Sequence, residues 1–343
     1  MRKRQLLREA SGAREKFDFQ PRSGTKTWSS GLKSCQLIKL TVVNATVGKV
    51  LVSGSSGLIG SALIPALIAG GYRVVRLVRG TPSTDDEITW DPTKPLAPES
   101  VSGFDAVVHL AGESIVGRWT EDKKRRIVDS RVLSTRHLSE AIVKTVRPPQ
   151  VLVCASAIGY YGDRGDEVLR EDCAPGRNFS SQLCLQWEAA AQPAATARIR
   201  TVNSRFGIVL STAGGALKQM LPPFRLGIGG KIGSGRQWMS WIDLKDVVGA
   251  ILHILKTDSL RGPVNVVAPN PVTNALFTKI LAAVLSRPAI FPMPALAARL
   301  AFGQMADELL LASQRVEPAK LLASGFVFQR PELRPSLQAM LRN

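Results

Sequence analysis

The chain has 343 residues, with 45 Lys and Arg against 27 Asp and Glu, and a formal net charge of +18. Hydrophobic content is 45% and mean hydropathy +0.05. No apolar run approaches the roughly 18 to 20 residues of a membrane span, so neither a span nor membrane contact is expected. Three histidines (His109, His137, His253) and four cysteines (Cys35, Cys154, Cys173, Cys184) are scattered without paired spacing. That pattern argues against a metal site and a disulfide framework, and favours a reducing, cytoplasmic setting. The positive charge invites a nucleic-acid reading. No aromatic stacking pattern accompanies it, however, and nucleic acid is not an expected partner. Residues 1–47 hold ten Lys and Arg against Glu9, Glu15 and Asp18. With little periodicity, they are expected to form a basic, disordered extension. Organellar targeting by this stretch stays open, although its acids and the lack of a clear amphipathic helix argue against it.

Residues 49–60 read Lys-Val-Leu-Val-Ser-Gly-Ser-Ser-Gly-Leu-Ile-Gly. An apolar strand runs into Gly54, Gly57 and Gly60, and a helical run follows from Ser61 to Ala69. Strand, glycine turn and helix in that order predict a dinucleotide cradle. Gly54, Ser55, Ser56, Gly57, Leu58, Ile59 and Gly60 are its candidate contacts. The next strand, Arg73 to Arg79, ends without the acid that usually binds a ribose 2′-hydroxyl. No acid occurs before Asp85, and Arg79 stands at the strand end. A guanidinium there pairs with a 2′-phosphate, so NADP is the expected cofactor. A solvated arginine is the alternative.

Farther along, Ile88 to Pro92 is a short extra segment. Phe104 to Gly112 is a buried strand whose end, Leu110-Ala-Gly112, is expected beside the cofactor with Glu113. A helix is predicted over 121–145, and Arg131 is the cation on it placed to reach the cofactor. Strands follow at Val151–Ser156 and Arg200–Leu210, the latter bringing Val209 to the cofactor edge, with a helix over 181–191 between them. Strands alternating with helices predict a Rossmann-type, doubly wound α/β fold with a parallel sheet. Residues 214–239 read as a glycine-rich loop, 241–255 as a helix in which Asp246 caps or supports the start, and 262–268 as a strand. Helices over 274–286, 295–302 and 305–312 predict a small C-terminal α/β cap lobe. The expected division is residues 48–213 for the NADP-binding domain, with 241–268 returning to it, and 214–240 plus 269–343 for the substrate lobe.

Longer blocks carry a resemblance. They include Gly54 to Gly60, Leu110-Ala-Gly-Glu113, Ser156-Ala-Ile-Gly-Tyr-Tyr-Gly162, Trp187-Glu188, Leu221 to Gly227, Gly233 to Ile242 and Gln314-Arg-Val-Glu-Pro318. Together they resemble the atypical short-chain dehydrogenase/reductase group called "epimerase family protein". The resemblance implies a Rossmann domain, a small cap, NADP binding and a loosely defined small-molecule substrate. It also exposes a gap. Short-chain dehydrogenases pair a Ser or Thr with a later Tyr-x-x-x-Lys, whose lysine lowers the tyrosine pKa. Ser156 fits the serine position, but Asn178 to Leu185 holds neither tyrosine nor lysine.

Two catalytic candidates remain, Ser156 and Tyr161. Ser156 either binds a substrate oxygen or is a strand-end hydroxyl satisfied by backbone. Tyr161 either exchanges a proton or packs in the pocket wall. In the segment from Gly233 to Ile242, Arg236 and Gln237 are candidates for a polar substrate group, and Trp238 and Trp241 for apolar faces. Core packing is the competing role for both tryptophans. The expected activity is NADP-dependent hydride transfer to or from a small carbonyl, hydroxyl or sugar-like substrate, with epimerisation as a variant. The alternative is a non-catalytic, NADP-binding regulator of the cell-division-linked type. Homo-oligomers are compatible with either.

Overall fold

The structure is a computed structural model that describes residues 47–341. The extension expected over 1–47 lies outside them, save Val47. Seven strands make the main sheet: β1 (Gly48–Ser53), β2 (Tyr72–Val78), β3 (Glu87–Thr89), β4 (Ala106–His109), β5 (Val151–Ala157), β6 (Arg200–Phe206) and β7 (Gly262–Val266). Their order is β7-β6-β5-β4-β1-β2-β3, and every neighbouring pair is parallel. The chain winds outward from β1 in one direction, then from β4 in the other. The junction of β1 and β4 is therefore the switch point, where such sheets open a crevice at the carboxyl ends of the strands.

Side chains alternate between two cores. Val50, Val52, Val153 and Val202 face helices α1 (Leu58–Ala69) and α5 (Leu244–Lys256) through Leu63, Leu67, Val247 and Ile251. Leu51, Val107 and Leu152 face α2 (Glu121–Lys144) through Leu138 and Ile142. Helix α3 (Phe179–Ala190) lies beside α2 and is joined to it by a hydrogen bond from Trp187 Nε1 to Thr135 Oγ1 at 2.9 Å. Strands buried on both faces read as near-continuous Val/Leu runs, which is why they are visible in the sequence.

A separate core gathers α4 (Gly215–Arg225), α6 (Asn274–Leu285) and α8 (Leu333–Leu341) around Trp241 and Met239. Helix α7 (Ala295–Phe302) packs instead beside the loop after β4, where Arg118 donates to the carbonyl of Leu300. Three expectations need correction. The glycine-rich stretch after Gly214 is not all loop: residues 215–225 are helical despite Pro222 and Pro223. The strand expected over 200–210 leaves the sheet at Gly207 and resumes as Ile208–Leu210, paired with Trp241–Asp243. A Cβ at Gly207 would lie 2.5 Å from the Ser240 carbonyl, so only glycine permits that crossing. Residues 306–310 form one wide turn of π type rather than an α-helix.

Two carboxylates stitch the tail to α5. Asp243 caps the helix at Lys245 and accepts from Ser336 Oγ at 2.8 Å. Asp246 does not cap; it accepts from the backbone of Gln329 and Arg330 at 2.7 and 2.9 Å.

Candidate functional site

The glycine turn sits at the switch point. Gly54 has φ +69°, and a Cβ there would lie 2.6 Å from the Leu110 carbonyl. At Gly60 a Cβ would collide with the Gly54 carbonyl, so α1 can approach β1 only without one. Gly57 opens α1, donates to the Gly54 carbonyl at 3.0 Å, and brings no side-chain cap; the first turn carries no acid. Ser56 and Gly57 are exposed, and Ser55, Leu58 and Ile59 half-buried. The first amides of α1 thus face outward with the positive end of the helix dipole, an arrangement suited to a diphosphate. Gly214 and Gly215 ride over Leu58, and Gly215 also approaches the Val209 carbonyl, so Val209 borders the mouth.

A buried hydrogen-bond chain holds this mouth from below. The Leu110 amide donates to Ser53 Oγ at 3.2 Å, and Ser53 Oγ meets His109 Nδ1 at 2.6 Å. His109 Nε2 meets Ser134 Oγ at 3.2 Å, and that hydroxyl donates to the Ser130 carbonyl at 2.7 Å. With Ser134 Oγ donating to the Ser130 carbonyl, a neutral His109 donates from Nε2 and accepts at Nδ1 from Ser53. Burial pushes the His109 pKa down to about 4.

At the end of β2, Arg79 is exposed and has no ion-pair partner among the described residues. Of the acids that follow, Asp85 is exposed and without an ion-pair partner among the described residues, while Asp86 is committed to Arg73 at 3.2 Å, and Glu87 to Arg76 at 2.9 Å and to the Ser83 amide and hydroxyl. After β4, Ala111 and Gly112 lead to Glu113, whose amide donates to Ser130 Oγ. The Glu113 carboxylate pairs with Lys123 at 2.8 Å, and that hydrogen bond holds its pKa below the usual range. Arg131 lies against Gly112, with its guanidinium 5.1 Å from the Trp187 ring centre and no carboxylate partner among the described residues. Burial depresses its pKa, with Glu113 opposing.

The two catalytic candidates are buried, and their hydroxyls are hydrogen-bonded within the fold. Ser156 is 2% exposed and lies on the same strand face as Leu152 and Cys154, toward α2 and α3; its hydroxyl donates to Glu188 Oε1 at 2.7 Å. Tyr161 is fully buried. Its hydroxyl donates to Asn265 Oδ1 at 2.7 Å and accepts from Arg205 Nη1 at 3.0 Å. Burial pushes its pKa up to about 12, against the pull of Arg205 and Asn265. Tyr161 is thus packed with its hydroxyl hydrogen-bonded on two sides, the arrangement expected of the alternative to a proton-exchanging role. On α3, the four-spaced positions that face the end of β5 are Ser180 and Cys184, which both flank Gly159. Burial raises the Cys184 thiol to about 12. Neither residue makes a phenol–ammonium pair.

The network around Tyr161 was not named by sequence reasoning. Arg205 is 2% exposed and forks onto Glu188, Nε to Oε1 at 2.8 Å and Nη2 to Oε2 at 2.9 Å. Its guanidinium carbon sits 3.4 Å from the Tyr160 ring centre. Burial works against its charge, but Glu188 more than offsets this, leaving the pKa above the arginine range. Buried Glu171 accepts from the amides of Asn265 and Lys320, both at 3.1 Å, tying β7 to the C-terminal segment. The one available signal was Arg205 in the interior of the expected strand 200–210.

Of the proposed substrate wall, Trp241 is fully buried and donates to the Asn270 carbonyl, so it belongs to the second core. Gln237 is 7% exposed, and its amide is spent on the carbonyls of Ile232 and Leu310. Arg236 is exposed, and Trp238 half-buried, bonded to Asp166 at 2.7 Å and stacked under Arg315. Among the described residues no group of three or more His, Cys, Asp or Glu is placed to hold a metal ion.

A seven-stranded parallel sheet of this order, with a glycine cradle at its switch point, defines the nucleotide-binding doubly wound class. More narrowly, the chain belongs to the NAD dependent epimerase/dehydratase family, which matches residues 50–267, and a domain of unknown function, DUF1731, matches residues 293–340. It is 44% identical to "Epimerase family protein Mb2239" of Mycobacterium bovis over 281 residues, 81% of this chain and 93% of the relative. It is 39% identical to human "Epimerase family protein SDR39U1" over 298 residues, 85% of this chain and 99% of the relative. The crystal structure of human SDR39U1 (isoform 2) with NADPH superposes with a TM-score of 0.80 at 37% identity, covering 86% of this chain and 99% of that one.

Proposed function

We propose that this chain binds NADPH across the carboxyl edge of the sheet and acts as an NADP-dependent oxidoreductase on a small carbonyl, hydroxyl or sugar-like substrate. The observation that carries the reading is the cradle itself: glycine at 54 and 60 lets the turn pack on the Leu110 backbone and lets α1 close on β1, and the α1 amides above it are uncapped. Those amides would hold the diphosphate, and Arg79 the 2′-phosphate. Leu110, Ala111, Gly112, Glu113 and Arg131 would line the far side, with Val209 at the rim. The cofactor supplies the hydride chemistry; the protein binds, orients and shields. Arg236 and Trp238 would touch substrate. The crystallised human relative with NADPH supports the cofactor choice.

Calorimetry tests the cofactor. Arg79→Ala is expected to weaken NADPH binding about 10- to 100-fold, the worth of a forked charge-assisted pair, with NADH little changed. Equal losses for both would remove Arg79 from the site.

A specific observation favours a second reading, a non-catalytic NADP-binding regulator. Ser180 and Cys184 stand where a proton relay would be, and Ser156 and Tyr161 are locked in a buried network. Nicotinamide absorbance followed over a panel of carbonyls separates the two. Turnover supports the enzyme, whereas tight binding without turnover supports the regulator.

A further inference from the structure

One face of the second lobe departs from ordinary protein surface. Leu226 is 74% exposed, Ile228 56%, Ile290 71%, Phe291 57%, Leu296 66% and Leu300 70%. They lie on adjoining segments. The Phe291 amide donates to the Gly229 carbonyl at 3.3 Å, and the Met293 amide to the Lys231 carbonyl at 2.9 Å, so the two ribbons run side by side. Helix α7 follows directly on the second ribbon; its Ala298 is buried, while Leu296 and Leu300 are exposed. Single exposed leucines are ordinary; six large side chains on adjoining segments mark an interaction surface.

The charge around the patch says what covers it. Residues 214–236 contain Lys218, Arg225, Lys231 and Arg236, residues 274–300 contain Lys279, Arg287 and Arg299, and neither stretch has an Asp or Glu. Of these seven, Arg299 alone has an ion-pair partner among the described residues, Asp307 at 2.8 Å. Arg225, Lys231 and Arg287 are exposed and lie within three residues of Leu226, Ile228 and Ile290 in the chain. A second copy related by a two-fold axis would set these cations against their own counterparts. An anionic bilayer meets both needs, with acyl chains for the apolar side chains and phosphates for the rim.

We propose that this face docks the protein reversibly on a membrane surface rich in anionic phospholipid. The contact is interfacial. Among the described residues no helix is long and apolar enough to cross a membrane. The expectation of no membrane contact drawn from run length tests spanning only.

Flotation of the full chain with vesicles of phosphatidylcholine, alone or with added phosphatidylglycerol, tests the proposal. Binding should appear with phosphatidylglycerol and fall as salt rises. Two double variants, Ile228→Ser/Phe291→Ser and Lys231→Glu/Arg287→Glu, should each lower the vesicle partition coefficient by at least about tenfold. Both alter exposed positions, so the thermal midpoint should stay near that of the parent. Absence of flotation overturns the proposal. So does flotation that both variants leave intact, which would assign binding to another basic element such as residues 1–47. Elution as a stable dimer that the apolar variant converts to monomer, without vesicle binding, overturns it in favour of self-association.

Discussion

Arg205→Ala should cost the fold about 3–5 kcal/mol, the penalty for leaving a buried charge without its partner. The guanidinium is gripped by both oxygens of Glu188, the Tyr161 hydroxyl and the Glu171 carbonyl, and it is covered by Tyr160. Removal would strand the Glu188 carboxylate, with Ser156 as its remaining hydrogen-bond donor among the described residues. Denaturant unfolding measures the loss. The double variant Arg205→Met/Glu188→Gln should be less damaged than the sum of its single changes, because neither charge is then abandoned. Tyr161→Phe should cost less, about 1–3 kcal/mol, since it leaves Asn265 Oδ1 without its donor but spares the ion pair. A loss below about 1 kcal/mol for Arg205→Ala would mean that water replaces the guanidinium.

Acid should weaken the protein through His109. Its folded pKa of about 4 lies below the ordinary 6.5. Between those values the unfolded chain binds a proton that the folded chain does not. The stability conferred by a neutral, buried His109 is therefore complete above pH 6.5 and is lost as pH falls toward 4. At about 1.4 kcal/mol per pH unit the full loss is about 3 kcal/mol. Equilibrium unfolding at several pH values should show that slope in the parent. His109→Asn, though less stable at neutral pH for want of the hydrogen-bond chain, should show a shallower slope. Identical slopes in both proteins would place the titrating group elsewhere. Because the chain links Ser53 to Ser134 under the glycine turn and folded His109 stays neutral down to about pH 4, NADPH affinity of the folded protein should hold through this window and weaken only near pH 4.

What the sequence disclosed and what it hid follow physical lines. The cradle was legible because all its parts are local: β1, Gly54, Gly57, Gly60 and α1 occupy one short run. The central strands were legible because burial on both faces leaves unbroken Val and Leu. Helix α4 was hidden by Pro222 and Pro223, since prolines inside a helix argue against one, and packing of Leu217, Leu221 and Phe224 overrode that local preference. Trp241 and Gln237 show a different failure. A tryptophan or glutamine beside glycines looks the same whether it walls a pocket or fills a core, and only their partners, the carbonyls of Asn270, Ile232 and Leu310, decide between these. The Ser156–Glu188–Arg205–Tyr161–Asn265 network was illegible as a unit because its members meet only after the sheet assembles.

The stitching of the tail bears on how the protein is made. Leu333 and Leu337 complete the second core, and Asp246 receives the backbone just ahead of them. Every other buried member of that core precedes them in the chain, and only the half-buried Met340 and Leu341 packed against it follow. During synthesis the lobe therefore stays unsealed, its greasy interior open to chaperones and proteases, until residues 333–341 clear the ribosome. Nascent chains stalled short of Leu333 should be cut readily within 214–285, and those that have passed it should resist.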